Sequence, residues 1–281
     1  MRFTNLAPVL AFGAIASGVP ASAQEHLNFI ACPVAQDTGE HSDVCFFVRH
    51  EGIRYGVSSP PDWGNPQLGH KLLVEGVVSD DEQECGGVKI EGRASVMPEI
   101  SPECDEIAPA TPEILALELG RRPDITEAQR AMILANPSAS LQIVRLPALP
   151  MPEVALGRTE TIYFPFERDR ASGPDAMVML ELARLAGATP GAAVSIRAYR
   201  GATLLDTGEI LAEREDMARQ RGEKIAGILA GLGAPANAMT LEIFDAASEP
   251  DGHADWQGRR VELRVSQPSA GQAKAPRRGG S

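Results

Sequence analysis

The sequence predicts an α+β protein built from two units, a small disulfide-stapled β-domain followed by a mixed sheet with helices on one face. Three observations carry that reading. All four cysteines lie between Cys32 and Cys104. The same segment is a series of short strand-like runs without helical period, suited to a small barrel or sandwich. Beyond Thr161 the pattern alternates between period-2 and period-3.6 runs, which places helices against a sheet.

Taken in order, residues 1–23 read as an export signal. Arg2 is the charged start, Leu6 to Ala16 the apolar run, and Ala21-Ser22-Ala23 the small-residue cleavage site. No later stretch reaches the roughly 18 uninterrupted apolar residues of a membrane helix. The mature chain is therefore expected in the periplasm, associated with the cell wall or the outer membrane. Residues 24–104 form the expected β-domain, with strands in "VCFFVRHEGIRYGV", "KLLVEGVVSDD" and "GVKIEGRASVMPEI". Four cysteines in an exported chain favour disulfides and allow three connectivities. Cys32 with Cys45 and Cys85 with Cys104 close the shortest loops and are the expected pairs.

Residues 105–159 read as a linker, with one short helix from Thr126 to Ala135 and an extended Pro-rich stretch, Leu146 to Gly157. Residues 160–267 form the second domain. "TIYFPF" is a strand, with Pro165 at its end or edge. Ser172 caps a helix, "AVSIRAY" alternates as a strand, and Met217 to Leu232 is an amphipathic helix stopped by Gly233 and Pro235. "LEIFDA" and "RRVELRV" are strands. Residues 268–281 are low-complexity, basic and expected to be disordered.

The formal net charge is -12, and residues 24–104 hold 14 Asp and Glu against 5 Lys and Arg. Such a surface repels phosphate backbones, so nucleic acid is not an expected partner. His26, His41, His50 and His70 accompany the cysteines without any metal-ligand spacing, and no metal or cofactor is expected. Nor does any nucleophile lie beside a base in a recognisable motif, so no enzymatic activity is expected. In "PPDWGNPQLGH", Trp63 reads as a contact residue or a cover over the barrel mouth.

The βαβαββ order, with "IYFPFERD", "AVSIRAY", "RQRGEKIAGILAGLGAPANAM" and "GRRVELRV", resembles the OmpA-like domain, a peptidoglycan-binding module of bacterial envelope proteins. The resemblance spans Thr161 to Ser266 and does not touch the β-domain, which is left as the part expected to meet an envelope protein partner. It implies noncovalent binding of the peptidoglycan stem peptide, gripped between an Asp after the second strand and an Arg early in the second long helix. Arg221 takes the position of that Arg, and a guanidinium fork suits a carboxylate. The apolar stripe Met217, Ile225, Ile228, Leu229, Leu232 leaves Arg221 on the same face, where it needs an anion. The readings left open are a stem-peptide carboxylate, an internal carboxylate, or a guanidinium snorkelling to water. The family's Asp does not map: Gly201 stands in its place, beside Arg200. About five extra residues follow, and Asp206 within them is the candidate substitute acid. Loss of wall binding, leaving an interaction module, is the alternative.

"TLLDTGEIL", Thr203 to Leu211, contains Asp-Thr-Gly, the loop of aspartic proteases, whose chemistry needs two carboxylates. With one copy, only a homodimer pairing two Asp206 residues would serve. The reading that explains more residues is a hairpin with Gly208 at positive φ and Asp206 bonding amides ahead of it. Such a hairpin is expected to cover the ligand end beside Arg221.

Overall fold

A computed structural model describes residues 25–39, 45–58, 63, 65–116 and 152–267. The export signal, the helix expected at Thr126 to Ala135, most of the Pro-rich stretch and the basic tail lie outside the described residues.

The first domain is a β-structure of seven strands: β1 (His26–Ala31), β2 (Pro33–Gln36), β3 (Cys45–His50), β4 (Ile53–Ser58), β5 (His70–Glu84), β6 (Gly87–Ile100) and β7 (Ile107–Ala108). They are ordered β1-β5-β6-β4-β3-β2-β7. Only Cys32 separates β1 from β2, and the first pairs with β5 while the second pairs with β3. One continuous run thus joins both sides of the sheet, which curls into a small barrel with β4 and β6 in parallel. Leu27, Phe29, Val48, Tyr55, Leu72, Val74 and Ile90 fill it. Two disulfides staple it, Cys32–Cys104 and Cys45–Cys85. The shortest-loop pairing is therefore wrong. Sheet order decides the partners, because Cys45 opens β3 while Cys85 sits in the tight turn between β5 and β6. Residues 105–116 belong to this domain rather than to a linker. They add β7 alongside β2 and a one-turn helix, α1 (Pro112–Leu115), whose Ile114 is buried.

The second domain follows the expected order: β8 (Thr159–Tyr163), α2 (Gly173–Ala188), β9 (Ala193–Tyr199), the hairpin β10 (Ala202–Leu204) and β11 (Ile210–Ala212), α3 (Met217–Gly231), β12 (Met239–Phe244) and β13 (Arg260–Ser266). The four-stranded sheet runs β12-β9-β13-β8, parallel between β12 and β9 and antiparallel elsewhere. Alternation along β9 turns Val194, Ile196 and Ala198 inward, where α2 and α3 cover them with Met179, Leu182, Ile225 and Leu229. Arg197 lies on the exposed side. Ser172 caps α2 in a reciprocal box with Asp175, so the helix start read from the sequence is the observed one. β8 is an edge strand and ends before Pro165, which costs the sheet no hydrogen bond.

The hairpin forms as read. Its ladder ends at Leu204 and Ile210, and the amide of Leu205 bonds the carbonyl of Glu209 at 2.8 Å, which leaves Asp206-Thr207-Gly208 as the loop. Gly208 has φ +83°, the left-handed region the turn demands.

Candidate functional site: a closed arginine seam between the domains

The end of the second domain that carries Arg221 is built from the turn after β8, the start of α3, the hairpin and the turn before β13. Arg221 is completely buried, as the apolar stripe requires. Its partner is Glu213, directly after β11, and that carboxylate is equally inaccessible. Nη1 donates to Oε2 at 2.7 Å and Nη2 to Oε1 at 2.5 Å. The remaining three donors reach main-chain carbonyls: Nε to Arg168, Nη1 to Tyr199 at 3.4 Å and Nη2 to Pro165 at 3.3 Å. All five N–H groups of the guanidinium are thus engaged.

Glu213 is saturated in turn. Besides the two arginine bonds, Oε1 accepts from the amide of Glu167 at 2.9 Å and Oε2 from the amide of Gly201 at 3.0 Å. A carboxylate offers about four lone-pair sites, and here each is used. Glu167 also holds Arg214, whose guanidinium is pushed above its ordinary pKa chiefly by the hydrogen bond to that carboxylate. The Tyr199 phenol is raised as well, first by burial and then by Glu262.

Gly201 stands where the resembled family has its acid, and the geometry gives the reason. A Cβ there would lie 2.4 Å from Cγ of Arg259 and 3.1 Å from its amide nitrogen, so no side chain fits. A carboxylate from twelve residues later, Glu213 directly after β11, accepts from the Gly201 amide instead.

A second buried pair joins the two domains. Arg259 and Glu75 of β5 are 0% and 1% exposed at their side chains. Arg259 Nη2 bonds Glu75 Oε2, and Nη1 bonds both Glu75 Oε1 at 3.2 Å and Thr203 Oγ1 at 3.0 Å. Thr203 itself donates to Glu75 at 2.8 Å. Apolar and polar rivets surround the pair. Leu73 packs with Phe166 and Leu205. Ser95 Oγ accepts from the Phe166 amide at 3.0 Å and from Trp63 Nε1 at 3.2 Å. Trp63 meets Trp256 edge-on at 5.8 Å, with Arg93 over both rings.

The sequence candidates distribute as follows. Arg221 sits in the seam. Asp206 does not join it: Asp206 Oδ1 accepts from the amide of Asn28 at 2.9 Å, and Oδ2 lies 3.5 Å from His50 Nε2, both in the β-domain. The Asp206 amide donates to the Asn28 carbonyl at 2.9 Å. The expected turn bonds from its side chain are replaced by these contacts. Arg200 is half-buried and approaches Phe244 and Ser248 through its main chain, not Arg221. Trp63, expected at a surface contact or over the barrel mouth, is only 8% exposed and rivets the domains together. The hairpin covers the Arg221 end of the domain, and the residue that follows it and meets Arg221 is Glu213. Neither Glu213 nor Glu75 was singled out in the sequence. Arg259 was readable: it precedes Val261, Leu263 and Val265 in the same alternating register, so it faces inward with them. Among the described residues no group of three or more His, Cys, Asp or Glu is placed to hold a metal ion, and no helix is long and apolar enough to cross a membrane.

No protein-family model matches the chain, and no curated protein matches it. Solved structures do. The chain is similar to the periplasmic domain of Helicobacter pylori MotB, at 13% identity over 42% of this chain and 80% of that one, with a TM-score of 0.32. The C-terminal domain of the same protein matches at 15% identity over 39% and 86%, TM-score 0.33. The OmpA-like domain of FopA1 from Francisella tularensis matches at 12% identity over 39% and 72%, TM-score 0.27.

Proposed function

We propose that this chain is a periplasmic envelope protein whose OmpA-like C-terminal domain serves as an interaction module, locked to its β-domain and not gripping the peptidoglycan stem peptide through Arg221. One observation carries the reading: Glu213 already occupies the place a ligand carboxylate would take, and no donor of Arg221 is left over. Opening that site would expose two buried charges and two main-chain amides at once. The periplasmic setting rests on the export signal, the two disulfides and the resemblance to envelope domains. The role is one of binding, with no catalytic step assigned. The Asp206 carboxylate that a dimeric protease would need is committed to Asn28 across the domain boundary.

The test is sedimentation of the purified chain with peptidoglycan sacculi at low and moderate salt. The expected result is a chain that stays in the supernatant at moderate salt. Sedimentation that persists there and is competed away by free diaminopimelate would overturn the reading.

A further inference from the structure

An open cleft of about 740 Å³ lies where the loop after β4 faces the turn leading into α2. Trp63, Asn65 and Gln67 line it from the β-domain, and Arg168, Arg170 and Lys224 from the other. We infer that this interdomain cleft binds a small anion carrying at least two phosphate or carboxylate groups.

Charge makes the first argument. In a chain of net charge -12, the cleft lining gathers three cations against one carboxylate, Asp169. Asp169 is engaged by Lys224 at 3.0 Å. Arg168 reaches across the boundary to the carbonyl of Val96 at 3.5 Å. Among the described residues neither Arg168 nor Arg170 is paired with a carboxylate. Like charges gathered at a concave surface raise the local potential and draw in anions. A guanidinium fork without a carboxylate partner matches a phosphate or carboxylate bidentately.

Size and lining make the second. The volume falls within the range of small-molecule sites, and the side-chain amides of Asn65 and Gln67 offer donors and acceptors to the uncharged part of a ligand. Both walls are fixed, one by the Trp63 rivet and the other by the carbonyls of Pro165 and Arg168 that Arg221 holds. The cleft shares no side chain with the Arg221–Glu213 pair, so it stands or falls separately from the reading above.

The experiment titrates the full chain with inorganic pyrophosphate and, in parallel, with citrate. Tryptophan fluorescence is one readout, because Trp63 lines the cleft and Trp256 touches it, and isothermal calorimetry is the other. Saturable binding of either probe is expected, weakened at least about tenfold by R170E with K224E, both exposed positions. Tighter binding of pyrophosphate assigns phosphate as the natural group, tighter binding of citrate assigns carboxylate, and equal binding supports the shared chemistry. Absence of saturable heat and fluorescence change up to about 10 mM of both probes overturns the inference. Binding that the double substitution leaves intact does so too.

Discussion

Replacing Glu213 by alanine removes the only carboxylate that Arg221 touches among the described residues. It also strips the acceptors from the amides of Glu167 and Gly201. The guanidinium stays trapped, since its other three donors hold main-chain carbonyls and its surface is fully covered. Breaking a buried pair by removing one partner costs about 3–5 kcal/mol. That is a large share of a domain's usual stability of about 5–15 kcal/mol. At an m-value of about 2–3 kcal/mol/M, the urea midpoint falls by about 1–2.5 M. Trp63 and Trp256, in contact at the domain boundary, report the transition. Removing both charges, with Glu213→Leu and Arg221→Met, relieves the uncompensated charge but orphans the carbonyls of Pro165, Arg168 and Tyr199 together with the two amides, so the double variant also stays below the unaltered chain in stability. A Glu213→Ala variant that loses less than about 1 kcal/mol would refute the reasoning, because exposed pairs alone are that weak.

Three further outcomes follow from the same geometry. Gly201→Asp, which restores the acid of the resembled family, is expected to destabilise the fold and not to create sacculus binding, because its Cβ meets Arg259 at 2.4 Å; thermal denaturation and sedimentation check both. Glu75→Ala leaves Arg259 buried without its anion and uncouples the domains, so a single unfolding transition in calorimetry separates into two. The Glu106 carboxyl is held below the ordinary carboxylate pKa, first by its hydrogen bond with Arg49. Its contribution is therefore present above the unfolded-state pKa and lost as pH falls through the folded one; Arg49→Ala returns the Glu106 pKa to the ordinary range in an NMR titration.

Much of the fold was legible because it is written in local pattern. The cap at Ser172, the positive φ at Gly208, the alternation of β9 and β13 and the stripe of α3 each need only neighbours within a few residues. Arg221 was legible for the same reason, since a cation in an apolar stripe is a local anomaly. Glu213 was not. It follows a short hairpin among other acids, Glu209 and Glu215, and nothing nearby distinguishes the one that turns inward. Asp206 attracted attention by motif and turned out to serve the β-domain. Glu75 lies on a strand whose Leu72 and Val74 fill the barrel while Leu73 and Glu75 face the other domain. A strand buried on both faces gives no alternation to read.

The sequence by itself determined where the main helices packed on the four-stranded sheet begin and end, and it singled out one arginine in an apolar stripe. Hydrophobic period and turn chemistry act over a few residues and survive without knowledge of the partner. Which cysteines join, which acid neutralises Arg221 and that Arg259 is met by a strand nearly two hundred residues earlier were decided only by the tertiary structure. Pairing across such separations depends on which surfaces meet when the domains dock, and a buried charge takes whatever counter-charge that docking delivers.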